Sequence, residues 1–380
     1  MRLVGVGRVE PGSLLARDVH TGRHGRAPLL TRGVVLDEKR LHALERAGIY
    51  AVYIDDTLGT GIDVPQALSE ELRDEATTRL GSAFDRVMKA HVGGRDGSDS
   101  APAVSAETAN ELSEIARMIA TELASCGDAV FALQDLSIAD SYTLQHSIDV
   151  TAVGLLLGRR LLRERGWVNY RGERRYDRLD RRLVQLGLGL MLHDIGKLIV
   201  PSEVLNKPAS LDASEWELMQ RHPLAGLDLL SSAAISPLAR VVVRSHHERW
   251  DGSGYPDGKA GDAIHQFARI AAVADVYDAV TSERPHRRAR QPHEGWQIIV
   301  DGAGSDFDPE VVAVFKRVVA PYPPGNEIVL DDGSRGVVIS VPEDRLDRPR
   351  VRIGWDAQGQ PVEPYELELT ELPGRRDEAA

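Results

Sequence analysis

Between residues 128 and 320, apolar stretches with helical spacing follow one another, and each carries or ends on an imidazole or a carboxylate. Leu183–Leu192, Ala213–Leu230, Pro237–His247 and Phe267–Val280 are each long enough for a helix, and Tyr142–Leu157 ahead of them reads the same way. A helix that is apolar over most of its surface packs into a core. A core tolerates a charge mainly when it is paired or bound to metal. The pattern therefore predicts a mainly helical body that holds polar groups inside it.

The polar groups form a consistent set. His193-Asp194 closes an apolar helix and is followed by Ile195-Gly196-Lys197. A histidine beside a carboxylate at a helix end offers nitrogen and oxygen to one cation, and the second carboxylate oxygen can bridge to another. Gly196 is expected to let the chain leave the helix, and Lys197 to bring an ammonium close to the same place. His146 lies in the first helix and His222 in Ala213–Leu230. His246-His247 follow the apolar Leu238–Val243, and Asp275 sits among Ile270, Ala271, Ala274 and Ala279. A lone histidine on an apolar face is usually a satisfied core residue. Five histidines and two aspartates on successive helices, with no thiolate among them, instead predict a centre of nitrogen and oxygen donors suited to iron, manganese or zinc.

Charge and cysteine usage narrow the setting. With 46 basic and 58 acidic residues the net charge is −12, which argues against a nucleic-acid polymer as partner, since that needs a broad cationic face. Cys126 is the single cysteine, so no intrachain disulfide forms and a reducing, cytoplasmic setting is expected. The opening MRLVGVGRVEPG lacks the apolar run of a signal peptide, and no apolar stretch approaches a membrane span.

Outside the helical run, residues 1–64 read as a small β-rich domain. Strands are expected around Leu29-Leu30, Val34-Val35 and Tyr50–Ile54, with a short helix near Asp37–Ala47. Residues 65–127 read as a helical connector with a flexible polar break near 93–105. Residues 321–380 read as a small β module and tail, with strands at Glu327–Leu330, Gly336–Val341, Arg350–Ile353 and Tyr365–Leu369. The two terminal modules are expected to serve as packing and dimerisation scaffolds. Arg159–Arg182 carries ten arginines against four acidic residues and is expected to be a solvated helical hairpin, with steering of an anionic ligand as the alternative.

His193-Asp194-Ile195-Gly196-Lys197 and His246-His247-Glu248-Arg249-Trp250-Asp251-Gly252-Ser253-Gly254-Tyr255-Pro256 together resemble the HD-GYP family of cyclic di-GMP phosphodiesterases. Also similar, in order across residues 128–320, are Tyr142-Thr143 ahead of His146-Ser147, Asn206-Lys207-Pro208, His222-Pro223, Arg269-Ile270, Ala274-Asp275-Val276-Tyr277-Asp278-Ala279 and Arg284-Pro285. The resemblance implies a helical HD-type domain at 128–320, with a small α+β domain before it and a short β module after it. It implies metal ligands at His146, His193, Asp194, His222, His246, His247 and Asp275, with Asp194 bridging two divalent ions, iron or manganese favoured, and no organic cofactor.

Lys197 would act on the scissile phosphate with Asp194 as the catalytic pair. Lys197, Tyr255, Arg284 and Arg287 would bind substrate, and the loop Gly252–Pro256 would border the site. The implied activity is hydrolysis of cyclic di-GMP to pGpG and GMP in bacterial signalling, with a homodimer and signalling proteins as further partners. A receptor that binds the dinucleotide with little turnover, and an HD-type hydrolase of another nucleotide, are the alternatives. Three positions depart from the family pattern. Tyr142 stands where a glutamate supports a third metal in some members, which favours two metals here. His286 replaces a tyrosine, and Ala209 a glycine.

Overall fold

The structure is a computed structural model, and it describes residues 1–20, 28–93, 104–125, 142–169, 171–207, 209–230, 235–282 and 289–373; of Gly93 and Tyr142 it describes the backbone alone. Arg284, Arg287, His286, Cys126 and most of the polar break at 93–105 lie outside the described residues. The chain is mainly helical, with small sheets near its two ends.

The first sheet contains β1 (Arg2–Gly5), β2 (Ser13–Leu15), β3 (Val35–Leu36) and β4 (Ala51–Asp55), ordered β1-β4-β2-β3 with antiparallel pairing. Its helix, α1 (Glu38–Arg46), begins where the Asp37 carboxylate accepts the Arg40 N–H, and buries Leu41 and Leu44 against the sheet. The Leu29-Leu30 segment, expected as a strand, makes only an isolated bridge from Leu30 to Val19.

Two long helices follow, α2 (Glu70–Gly93) and α3 (Ala106–Ser125). They are not a separate layer. Leu72, Leu80 and Val87 of α2, together with Leu112, Ile115 and Ile119 of α3, belong to the same apolar cluster as the later helices. The Arg73–Asp149 ion pair joins α2 to α4 (Tyr142–Arg165), and the buried Arg159 donates to the Leu123 carbonyl near the end of α3.

The arginine-rich segment departs from the helical hairpin expected of it. After α4 ends at Arg165, β5 (Trp167–Val168) and β6 (Arg174–Arg175) form a two-stranded hairpin, and α5 (Leu179–Leu192) starts at once. The cause is local. Asn169 Oδ1 accepts the N–H groups of Arg171 and Glu173 and so folds the turn, while Trp167 is buried and its indole N–H donates to Asp177 O.

After α5 come a 3₁₀ turn at Ile195–Ile199 and the short helices α6 (Ser202–Leu205), α7 (Ala213–Met219) and α8 (His222–Leu229). The expected single helix over Ala213–Leu230 is therefore two. Pro223 has no N–H with which to continue the ladder of α7, and it suits the first turn of a new helix. Helices α9 (Pro237–Ser245), α10 (Gln266–Thr281), α11 (Pro292–Asp301) and α12 (Pro309–Phe315) complete the body. The last sheet holds β7 (Glu327–Val329), β8 (Arg335–Ser340), β9 (Arg350–Trp355) and β10 (Pro361–Glu368) as an antiparallel meander.

The two sheets meet. Tyr53, Leu58, Ile62 and Val64 from the first region bury with Val337, and Trp355 packs beside them. Leu3 donates its N–H to Gly325 O at 2.8 Å, and the Arg352 guanidinium donates to the carbonyls of Leu58 and Thr60. No helix among the described residues is long and apolar enough to cross a membrane.

Candidate metal centre

Residues Leu186–Leu192 of α5 are all buried, so the chain delivers His193 and Asp194 directly into the core. The chain then turns through Ile195–Ile199. Gly196 sits against α8 so closely that an added Cβ would lie 1.9 Å from His222 O and 2.6 Å from the Gly226 N. The requirement for glycine is therefore steric. The expected role of releasing the chain from the helix is replaced by that of letting α8 approach, which brings His222 to Asp194.

Four imidazoles arrive from separate elements: His146 from α4, His193 from the end of α5, His222 from α8 and His246 from the end of α9. Three of them are oriented by backbone carbonyls. His193 Nδ1 lies 2.7 Å from Leu190 O, His222 Nδ1 2.8 Å from Met219 O, and His246 Nδ1 3.1 Å from Val243 O. A carbonyl only accepts, so each Nδ1 carries the proton and each Nε2 presents a lone pair inward. His222 Nε2 and His246 Nε2 stand 3.2 Å apart, two lone pairs facing each other. That arrangement is repulsive unless a cation lies between the donors.

Asp194 is 3% exposed, and its two oxygens look in different directions. Oδ1 is 3.3 Å from His222 Nε2 and 3.8 Å from His246 Nε2, whereas Oδ2 is 3.3 Å from His193 Nε2 and 3.7 Å from His146 Nε2. Asp275 on α10 adds Oδ1 at 3.2 Å from His146 Nε2, and Oδ2 at 3.9 Å from His247 Nδ1. Donor atoms of Asp194, His222, His246 and His247 lie within 4.8 Å of one another, as do those of His146, His193 and Asp194, and those of His193, His246 and Asp275. His193 Nε2 and Asp194 Oδ1 are buried without a hydrogen-bond partner. Such orphaned groups fit a divalent cation, and the donor set contains only imidazole and carboxylate.

The electrostatics follow from burial and these neighbours. Burial opposes ionisation of Asp194, yet His193 and Lys197 hold its carboxyl well below the usual range. Asp275 behaves likewise, with the hydrogen bond from His146 countering burial. Burial and the adjacent imidazoles push His246 well below 6.5, and burial takes His247 down to about 3 against the pull of Asp275. Both imidazoles are thus neutral donors near pH 7. His146 goes the other way: burial alone would lower it, but hydrogen bonds to Asp275 and Asp278 raise it to about 9.

Lys197 donates from Nζ to Asp194 Oδ2 at 2.6 Å, and its side chain remains 26% exposed at the edge of the cluster. Tyr255 lies tilted over His247, with ring centroids 4.7 Å apart, and burial raises its phenol so that it stays neutral. Glu248 sets the shape of its loop, a role the sequence reading did not weigh. It is 2% exposed, and its carboxylate accepts the N–H groups of Asp257 and Lys259 at 2.8 and 3.0 Å. A Cβ at Gly254 would lie 2.4 Å from the Arg249 N, so this loop closes only around glycine.

Comparison with known proteins agrees with the fold. Residues 155–311 match the HD domain family. The chain is 36% identical over 241 residues to cyclic di-GMP phosphodiesterase PA4108 of Pseudomonas aeruginosa, covering 63% of this chain and 54% of that protein. It is 43% identical over 128 residues to the cyclic di-GMP phosphodiesterase response regulator RpfG of Xanthomonas campestris, covering 33% and 34%. To the 3'3'-cGAMP-specific phosphodiesterase 2 of Vibrio cholerae it is 38% identical over 123 residues, covering 32% and 24%. The chain thus spans about half the length of the first relative, about a third of the second and about a quarter of the third.

Proposed function

We propose that this chain is a metal-dependent phosphodiesterase that opens cyclic di-GMP to pGpG and carries it on to GMP, in the bacterial cytoplasm. The observation that carries the reading is the convergence of inward-facing Nε2 lone pairs on the two differently directed oxygens of Asp194. In this reading His146, His193 and Asp275 serve one divalent ion, His222, His246 and His247 the other, and Asp194 both, with iron or manganese favoured. Bound there, the ions would neutralise the phosphodiester and lower the pKa of water near pH 7.

The chain's own groups do the rest. Lys197 is held against Asp194 but is open to solvent on one side, so its ammonium can meet phosphate oxygens as they gain charge. The loop shaped by Glu248 sets Tyr255 beside His247, where a phenol face can bound the ligand. Arg284 and Arg287 are proposed to bind phosphate on the ground-state side.

A second reading has one observation in its favour, the similarity to a phosphodiesterase named for 3'3'-cGAMP. Purified protein loaded with iron or manganese is incubated with each dinucleotide, and the products are separated by chromatography. Faster loss of cyclic di-GMP, with pGpG and then GMP appearing, supports the first reading. Faster loss of 3'3'-cGAMP replaces it with the second. Binding without turnover of either would make the chain a receptor.

A further inference from the structure

Asp278 is a buried carboxylate, 3% exposed, one helical turn after Asp275 on α10. The spacing of three places both side chains on one face, where they bracket a single imidazole: Asp275 Oδ1 is 3.2 Å from His146 Nε2, and Asp278 Oδ2 is 2.6 Å from His146 Nδ1. Asp278 spends its other oxygen locally. Oδ1 accepts the Ser282 hydroxyl at 2.8 Å, and Ser282 N–H donates to the Asp278 carbonyl at 2.9 Å, closing the end of α10. His146 therefore differs from His193, His222 and His246, whose Nδ1 atoms rest on neutral backbone carbonyls. A carboxylate behind an imidazole fixes its tautomer and orientation and makes the opposite nitrogen a stronger donor.

We propose that Asp278 is a positioning residue that holds His146 from behind and makes the His146 side of the centre the tighter of its two metal sites. The inference rests on the metal-centre reading above but not on the identity of the nucleotide.

The test is a cobalt titration of metal-free, full-length protein, read by visible absorption, for wild type, Asp278→Asn, Asp278→Glu and Ser282→Ala. Asp278→Asn keeps the size and an acceptor oxygen but removes the charge. We expect it to weaken one of the two ions tenfold to about a hundredfold and leave the other unchanged. Asp278→Glu should recover part of that loss, and Ser282→Ala should bind both ions as wild type does. Metal-free Asp278→Asn should keep the wild-type far-ultraviolet circular dichroism, so that a weakened ion reports on the site and not on lost helix, while its metal-free melting temperature falls because His146 loses the carboxylate it is hydrogen-bonded to.

Wild-type binding of both ions by Asp278→Asn overturns the proposal. So does an equal loss at both ions, or the same loss in Ser282→Ala. Failure of the wild type to take up cobalt would instead overturn the metal-centre reading itself.

Discussion

Asp194 concentrates several duties in one side chain: its two oxygens face different histidines, and Lys197 leans on one of them. Asp194→Ala should abolish hydrolysis and lower metal content while far-ultraviolet circular dichroism stays unchanged, since α5 keeps its buried apolar face. Near-normal turnover with metal bound would refute the assignment. Lys197→Ala should lower kcat with little change in KM, because its charge matters most as phosphate gains charge. Arg284→Ala should chiefly raise KM, by about tenfold, if one charge-assisted contact is lost. Gly196→Ala has no such division. A methyl 1.9 Å from His222 O must push α8 away, and we expect a loss of about 3 kcal/mol or more in urea unfolding, together with lost metal binding. The small HD-type signature His193-Asp194-Ile195-Gly196-Lys197 was legible as a donor pair with a nearby cation. The steric reason for its glycine was not, because it depends on a helix 26 residues further along the chain.

Elements follow apolar periodicity where the period is clean, and depart from it where single residues intervene. Helices α9 and α10 run close to the spans their apolar spacing predicts, whereas Pro223 splits the next most obvious one. The arginine-rich hairpin was obscured because ten like charges hide the alternation of two-residue strands; its signal was Asn169-Tyr170-Arg171-Gly172, a turn sequence. Arg178 then starts α5 with φ 55°, ψ 37°, a left-handed conformation that L side chains with a Cβ adopt at a cost, and without a side-chain cap. Arg178→Asn tolerates that conformation and supplies a capping oxygen, so it should raise stability by about 1 kcal/mol in urea unfolding.

Helix α10 begins on His265, whose Nδ1 accepts the Phe267 N–H at 3.1 Å and must be unprotonated to do so. Burial, helped by Arg269, lowers His265 from 6.5 to about 4. The unfolded chain therefore takes up this proton first. Stability should fall as pH drops from about 6.5 to about 4, by about 3 kcal/mol in all, and level off below. His265→Asn keeps a capping acceptor, and should flatten that part of the pH profile of the melting temperature.

At the scale of the whole molecule, both ends of the chain build one β platform beside the helical body. Local alternation marks strands at Tyr50–Ile54 and after residue 321, but it misses β1 and β2 and places a strand at Leu29-Leu30, and no local pattern records a contact between Arg352 and the carbonyls of Leu58 and Thr60, 294 and 292 residues away. Arg352→Ala should cost about 1–3 kcal/mol and expose residues 1–64 to limited proteolysis, while metal content in the helical body stays at the wild-type level. Loss of metal on that substitution would mean that the platform also supports the centre. The same closure governs the order of synthesis. Tyr53, Leu58 and Ile62 leave the ribosome early, but their apolar partners Val337 and Trp355 emerge nearly 300 residues later. At about 5–20 residues per second, that is an interval of roughly 15–60 s. Throughout it the first sheet carries an uncovered apolar face, so nascent chains stalled before Val337 should be captured by holdase chaperones and released once Trp355 has been added.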